Sequence, residues 1–209
     1  MRLRKKPHID EKLQAFADFV TVGDAAPLVK DPSRKLYVEV GTGKGDFISQ
    51  IAALNPQTNF VGMEVEATVV LAAARKVREK NLGNVRLLVC DVNKIAEIFA
   101  EHAVDRLYIN FCDPWPKKRH AKRRLTHANF LALYRKILVP DGEIYFKTDN
   151  RGLFDYSLEQ FALAGFEIRD VTNDLHADEP PNNIRTEYEN KFSEQGVPIN
   201  FCIARFGNG

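Results

Sequence analysis

The run Asp113-Pro114-Trp115-Pro116-Lys117-Lys118-Arg119-His120 puts a carboxylate, an indole and a block of cations into one short stretch. Pro114 and Pro116 fix φ on either side of Trp115, so the acid and the ring would project from a stiff loop. Such a platform suits base recognition, because a flat aromatic can stack a nucleobase while a neighbouring acid reads its edge. The cations Lys117, Lys118, Arg119, Lys122, Arg123 and Arg124 run on past His120 and Ala121. A charge run is most often a solvated face. Beside a candidate reacting group it becomes a track that neutralises phosphates and holds a nucleic-acid strand.

A second constellation lies upstream, in Glu39-Val40-Gly41-Thr42-Gly43-Lys44-Gly45-Asp46. Gly41, Gly43 and Gly45 fall at a strand-to-helix turn, where a backbone without Cβ lets a ligand approach. A GxGxG alone is weak, since a merely tight turn would also use it. Glu64 follows about 20 residues later at the end of the next strand, where a carboxylate can accept from both ribose hydroxyls. Asp91 ends the third strand and could accept from the exocyclic amine of an adenine; capping of the following turn is an equally good reading of it. Glu39 lies within its strand, so capping does not explain it. A buried carboxylate there needs a cation or donor, such as the ammonium of a methionine moiety. Together the acids read an adenosine with a charged tail, as in S-adenosylmethionine. No GxxxxGK[ST] occurs, so Lys44 does not signal a nucleotide triphosphatase.

The elements that must position these groups alternate between short β-rich runs and segments of helical period, which predicts an α/β fold with a mostly parallel sheet and helices on both faces. The strand candidates are Leu36 to Val40, Asn59 to Val65, Val85 to Cys90, Arg106 to Phe111, Glu143 to Lys147 and Phe166 to Val171. Val69, Val70, Ala73, Ala74 and Val77 predict one amphipathic helix, and Phe130, Leu131, Tyr134, Ile137 and Leu138 another. Thr126 is the expected N-cap of the second, and Pro140-Asp141-Gly142 its stop. A final run, Ile199 to Phe206, is expected to pair antiparallel at or near the sheet edge. The polar stretch from Thr172 to Pro198 is too long for a simple turn and is a candidate functional loop.

Length and composition set the outer bounds. A chain of 209 residues with 44% hydrophobic content suits a single domain spanning 1–209, and 30 Lys plus Arg against 28 Asp plus Glu leave a net charge of only +2. Residues 1–10, MRLRKKPHID, read as a basic, flexible arm. Cys90, Cys112 and Cys202 form no CxxC and are read as small buried hydrophobes in a reducing cytoplasm. The histidines form no HxH or HExxH pair, so no metal is expected. No apolar run reaches the roughly 20 residues of a membrane span.

With these motifs the sequence resembles the bacterial tRNA (guanine-N7-)-methyltransferases from about the first strand to the C-terminus. The DPWPKKRHAKRR run is the specific part, with Phe146-Lys147-Thr148-Asp149 and Thr186-Glu187-Tyr188-Glu189 as further matches. The resemblance implies a Rossmann-like class I methyltransferase whose final strand is antiparallel. It implies that Glu39, Gly41, Gly43, Gly45, Glu64, Asp91 and Asp113 contact S-adenosylmethionine. Lys117, Asp149, Thr186, Glu187, Tyr188 and Glu189 would face the substrate, and Arg119, His120, Ala121, Lys122, Arg123 and Arg124 the RNA. The implied product is N7-methylguanosine at nucleotide 46 of the tRNA variable loop. Similar enzymes occur as monomers or homodimers, and a homodimer is the weak expectation.

Guanine N7 carries an in-plane lone pair and no proton, so transfer to it needs no general base. Asp113 is therefore expected to orient the base and stabilise its developing charge, and Asp149 or Glu189 to read the guanine N1–H and N2–H₂ edge. The bare sequence also allows Thr186 to Glu189 to be only a capping pattern. Two rival readings share parts of the pattern. A nicotinamide-dependent dehydrogenase explains neither Asp91 nor the basic run, and a noncatalytic RNA-binding module leaves the cofactor acids without a purpose.

Overall fold

A computed structural model of the chain describes residues 8–25, 29 and 31–207. Arg2, Arg4, Lys5 and Lys6 of the basic arm lie outside the described residues. The chain divides into two compact units that part between Phe99 and Ala100.

The first unit contains α1 (Ile9–Gln14), β1 (Val20–Val22), β2 (Leu36–Val40), α2 (Asp46–Leu54), β3 (Asn59–Glu64), α3 (Ala67–Glu79), β4 (Val85–Val89) and the short α4 (Ile95–Ile98). Its strands lie in the order β1-β4-β3-β2, every neighbouring pair parallel. Strands buried on both faces read as continuous apolar runs, and β3 is buried from Asn59 to Met63. Helix α3 turns Val70, Leu71, Ala73, Ala74 and Val77 inward, the period that the sequence predicts.

Helix α1 and strand β1 are not marked in the sequence, because six and three residues are too few to show a period. They are held by tertiary contact. Arg78 of α3 pairs with Asp18 at 2.7 Å, donates to the Ala15 carbonyl and lies over the rings of Phe16 and Phe19. Ile9, Leu13, Phe19 and Val20 are buried.

The second unit contains β5 (Val104–Asn110), α5 (Ala128–Ile137), β6 (Leu138–Thr148), α6 (Arg151–Leu163), β7 (Phe166–Thr172), α7 (Glu187–Ser193) and β8 (Asn200–Phe206). The order is β5-β6-β8-β7. Strands β5 and β6 are parallel, while β8 runs antiparallel to both of its neighbours. The final strand is thus antiparallel as expected, near the edge but inside β7. Phe146 on β6 stacks on Phe154 and meets Phe161 edge-on, and Phe161 packs on Phe166, so an aromatic row fastens α6 to the strands.

Two local expectations are corrected. Thr126 does not cap α5: it is fully buried, with its hydroxyl 2.7 Å from that of Ser157, and His127 accepts the Asn129 N–H as N-cap instead. The helix also ends at Ile137, ahead of the Pro-Asp-Gly stop. Residues 139–142 form an irregularity inside β6, where pairing jumps from Val104–Leu138 to Arg106–Glu143 and Asp141 adopts φ 66.

Gly45 couples the first unit's helices to its turn. It N-caps α2 at φ 75, and a Cβ there would lie 2.6 Å from the Ala73 Cβ on α3. Asp46 of α2 and Lys76 of α3 close the same contact at 2.9 Å. Gly45→Ala should therefore lower the stability by about 1–3 kcal/mol in a denaturant melt. Adding Ala73→Gly should recover at most a small part of the loss, because it removes the Cβ clash but leaves the 2.9 Å approach to the residue-73 Cα and the left-handed strain. A fully stable Gly45→Ala protein would refute this packing.

Candidate functional site

In the first unit the turn after β2 is built by hydrogen bonds to β3. The Gly41 and Thr42 N–H groups donate to the Met63 carbonyl at 2.9 and 3.0 Å, and Gly41, Gly43 and Gly45 all have positive φ. Gly43 opens outward: a Cβ on it would meet only the Gly41 carbonyl oxygen, at 3.9 Å. Gly45 faces α3, so its part in this turn is packing.

Glu39 is 4% exposed, and its Oε2 accepts from the Thr42 hydroxyl at 2.6 Å. Glu64 accepts from Gly43 N–H at 3.1 Å with one oxygen and from Val65 and Glu66 N–H with the other. A carboxylate offers about four acceptor positions, so three are used within the protein. The Cys90 N–H donates to the Glu64 carbonyl, setting Asp91 at the same carboxyl end. Asp91 is exposed and caps the 3-10 turn Val92–Lys94 by accepting from Asn93 N–H at 2.8 Å. The capping reading of Asp91 is therefore real, and the exposed carboxylate can serve a ligand as well.

Two contributors here are absent from the sequence reading. Thr42 is buried against Glu39, and Gly62 on β3 makes room for it, since a Cβ on Gly62 would lie 2.6 Å from the Thr42 hydroxyl. A glycine inside an apolar strand is the available signal.

In the second unit β5 ends at Asn110, and the next residues leave the strand in a strained path. Phe111 has φ 51 and Trp115 φ 41, values that cost on the order of 1–3 kcal/mol for bulky side chains unless the surroundings impose them. The Phe111 N–H donates to the Lys147 carbonyl of β6. Asp113 is exposed, while Cys112 beside it is held protonated, its thiol pushed up to about 12 by burial and by the Asp113 charge. Asp149 follows β6, with Asn150 capping α6.

Tyr188, 44% exposed on α7, packs its ring 5.0 Å from that of Phe111. Its phenol is shifted upward by partial burial and then by the charges of Asp149 and Asp113. Asp113, Asp149 and Tyr188 thus form one electrostatic neighbourhood at the ends of β5 and β6.

Glu189 is placed differently from that group. It is fully buried, and its Oε2 accepts from Lys147 Nζ at 2.7 Å. Its Oε1 lies 2.8 Å from His176 Nε2 and accepts from Asn183 Nδ2 at 2.9 Å. Lys147 also donates to Asn183 Oδ1 and to the Ile184 carbonyl. Burial alone would raise the Glu189 pKa, but Lys147 and the other donors hold it below the ordinary carboxylate range. Thr186 caps α7 by accepting from the Glu189 N–H, and Glu187 is exposed. Arg185 binds Glu179 and holds its carboxyl at about 2. A lysine within the apolar strand β6 and the Thr186-x-x-Glu189 capping pattern are the sequence signals of this network.

The basic run forms a 3-10 turn, Lys118–Arg123, after Lys117. Lys117, Lys118, Arg119, Lys122 and Arg123 are exposed, whereas His120, Ala121 and Arg124 are half-buried. His127 next to the run is shifted downward by partial burial and by Lys122 and Arg124. Trp115 meets the His120 ring edge-on at 5.7 Å, and the Arg123 guanidinium lies 4.8 Å over the indole.

A family model described as a putative methyltransferase matches residues 33–202. Among solved structures, an antibiotic-related methyltransferase superposes with a TM-score of 0.62 at 15% identity, covering 100% of this chain and 97% of that one. A SAM-dependent methyltransferase from Aquifex aeolicus gives 0.58 at 15% identity, covering 96% and 94%. The family match makes the chain a methyltransferase, and the solved structures show that its fold is the Rossmann-like methyltransferase fold. The tRNA (guanine-N(7)-)-methyltransferase of Macrococcus caseolyticus is 46% identical over 99% of this chain and 100% of that protein. The protein of the same name from Geobacillus kaustophilus is 43% identical, over 98% and 96%. The chain belongs to the tRNA (guanine-N7-)-methyltransferase family.

The Lys147–Glu189 pair yields a prediction with a definite sign. Lys147→Met leaves a buried carboxylate without its cation and should cost about 3–5 kcal/mol at neutral pH by chemical denaturation. In the native protein Glu189 ionises more readily folded than unfolded. Its contribution is therefore present above the unfolded value of about 4.3 and is lost as pH falls through the lower folded value. In the variant, burial raises the folded value instead, so its deficit against the native protein should shrink as pH falls from 7 towards 5. A deficit that stays constant over that range would contradict the assignment.

Proposed function

We propose that the protein methylates N7 of a guanosine in tRNA, nucleotide 46 of the variable loop, forming N7-methylguanosine in the cytoplasm. The observation that carries this reading is the pairing of an exposed carboxylate, Asp113, and a half-buried one, Asp149, whose charges both act on the exposed ring of Tyr188. Likeness to tRNA (guanine-N(7)-)-methyltransferases along nearly the whole chain supports the choice of base, atom and RNA. No helix among the described residues is long and apolar enough to cross a membrane.

The chemistry of the first unit's donors and acceptors fits S-adenosylmethionine. Buried Glu39 suits the ammonium of the methionine part, Glu64 has an acceptor position left for a ribose hydroxyl, and exposed Asp91 would accept from the adenine amine. Gly41 and Gly43 admit the ligand to the backbone, and Gly45 supports the turn from behind. When bound, the cofactor supplies an electrophilic methyl on a sulfonium.

The second unit's residues bind and orient the acceptor. N7 has a lone pair in the ring plane, so none of them has to remove a proton. The Asp113 charge would offset the positive charge that grows on the purine, which is the effect of a preorganised electrostatic partner. Asp149 accepts from N1–H and N2–H₂, an edge on which adenine presents an acceptor. A mismatched contact of that kind costs about 1–3 kcal/mol. Glu189 has both oxygens committed inside the protein, so edge reading falls to Asp149. Tyr188 flanks the base, while Thr186 and Glu187 shape the start of α7 beside it. Lys117, Lys118, Arg119, Lys122 and Arg123 meet the phosphates, with His120 and Ala121 forming the inner side of their turn.

Radiolabelled S-adenosylmethionine and bulk tRNA, followed by mapping of the labelled nucleotide, test the reaction. Label on a guanosine at nucleotide 46 is expected, and label at another nucleotide or atom would overturn the assignment. Asp113→Ala should abolish transfer and leave tRNA affinity within about twofold. Lys118→Ala with Lys122→Ala should instead weaken binding and reduce the salt slope by about 1 per lost phosphate contact.

A further inference from the structure

The arginine that closes the basic run does not face outward with the rest of it. The Arg124 side chain is half-buried, with Nε donating to the Pro114 carbonyl at 3.1 Å and Nη2 to the Trp115 carbonyl at 3.1 Å. Its guanidinium lies 4.2 Å over the Tyr156 ring on α6. Backbone hydrogen bonds on both sides fix it in place: its N–H donates to the Ala121 carbonyl, and its own carbonyl accepts from His127. The planar fork is thus spent on two successive carbonyls, a geometry that an ammonium cannot copy.

Those carbonyls belong to the loop that carries Asp113. Pro114 and Pro116 lack N–H groups, so the loop has few donors with which to hold itself, and Trp115 sits in the left-handed region at φ 41. Such a conformation persists in a bulky residue only where its surroundings over-determine it. Here His120 and Arg123 hold the ring, and Arg124 holds the carbonyls on both sides of the residue's Cα. Tyr156 backs the guanidinium and anchors it to a helix.

We propose that Arg124 is a positioning residue for the Asp113-Pro114-Trp115 loop, with Tyr156 as its platform, and that it is not one of the phosphate contacts. This rests on the reading of Asp113 as the group beside the acceptor base. The basic run thereby has two physical jobs: exposed Lys122 serves the RNA, and Arg124, with Arg123 lying over the indole, sets the acid that meets the base.

Trp115 is the only tryptophan in the chain, so its fluorescence reports this loop without reference to activity. The experiment compares Arg124→Ala, Arg124→Lys, Tyr156→Phe and Tyr156→Leu with Lys122→Ala. Measured are Trp emission and acrylamide quenching, kcat and KM for tRNA, and the salt slope of tRNA binding. Arg124→Ala should shift the emission to the red, raise quenching severalfold and lower kcat by tenfold or more, with KM and salt slope close to those of the native protein. Arg124→Lys keeps the charge and should fail to restore either emission or kcat. Tyr156→Phe keeps the platform and loses only the hydrogen bond between the phenol and Arg124, so it should stay much closer to the native protein than Tyr156→Leu, which should loosen Trp115 as Arg124→Ala does.

Should Arg124→Ala not fold, Arg124→Lys and Tyr156→Leu carry the same test. Native emission in both of those variants, or a salt slope that falls by about 1 in Arg124→Ala as in Lys122→Ala, would overturn the proposal. If the protein methylates no guanosine at all, the kcat arm is silent, and the emission and quenching arms still decide whether Arg124 holds the loop.

Discussion

The second unit depends on one buried ion pair, Lys147 with Glu189. Residues 173–199 have little apolar side chain of their own to bury: within that stretch Leu175, Ile184 and Ile199 are the buried hydrophobics among the described residues. So few cannot order such a segment against its conformational entropy. What orders it is polar. Lys147 projects from β6 and gathers Glu189, Asn183 and the Ile184 carbonyl, and Glu189 in turn engages His176. Charges in a low-dielectric interior demand every one of these partners, so the network accepts one arrangement and rejects looser ones. Tyr188 is next to Glu189 in the chain, and Asp149 is two residues from Lys147. The placement of an exposed ring and a half-buried acid is thereby inherited from a pair that solvent does not reach.

A similar division appears at the end of β5. The loop from Phe111 to Trp115 takes two left-handed conformations at aromatic residues, which local preference opposes. Strand β6 answers the first through the Lys147 carbonyl, and the turn Lys118–Arg123 with Arg124 answers the second through ring and carbonyl contacts. Strain of this kind keeps an acid exposed without letting it wander, which is what preorganised stabilisation of a developing charge requires. The first unit uses less strain, because glycine takes positive φ without cost. Its turn is stiffened by hydrogen bonds to Met63 and by Glu64 accepting from Gly43.

Much of the architecture is legible along the chain because it is written in short-range terms. Alternating apolar runs give the positions of β2, β3, β4, β5 and β7 to within a residue or two, and the helical period of Val70, Ala73, Ala74 and Val77 gives α3. Thr126 is misread as a cap because a threonine before a helix is the usual signal, and only the neighbouring Ser157, 31 residues away, shows that its hydroxyl is used elsewhere. Strand β1 and helix α1 are too short to show a period and are held by contacts remote in the chain, with Arg78 of α3 clasping the segment that joins them.

The sequence by itself determined the class of fold, the glycine turn with its acids, the exposed Asp113 beside a basic run, and the kinship that points to tRNA. These depend on spacings of a few residues, on which φ, periodicity and charge density act directly. The tertiary structure alone decided how the matching residues divide their labour. Glu189 looks like Asp149 in a list of acids, yet lies buried against a lysine 42 residues away. Arg124 looks like Arg123, yet is turned inward onto two carbonyls and Tyr156. The physical reason is the same in both cases. The worth of a charge is set by its distance from water and by its partners, and both follow from contacts between segments remote in the chain.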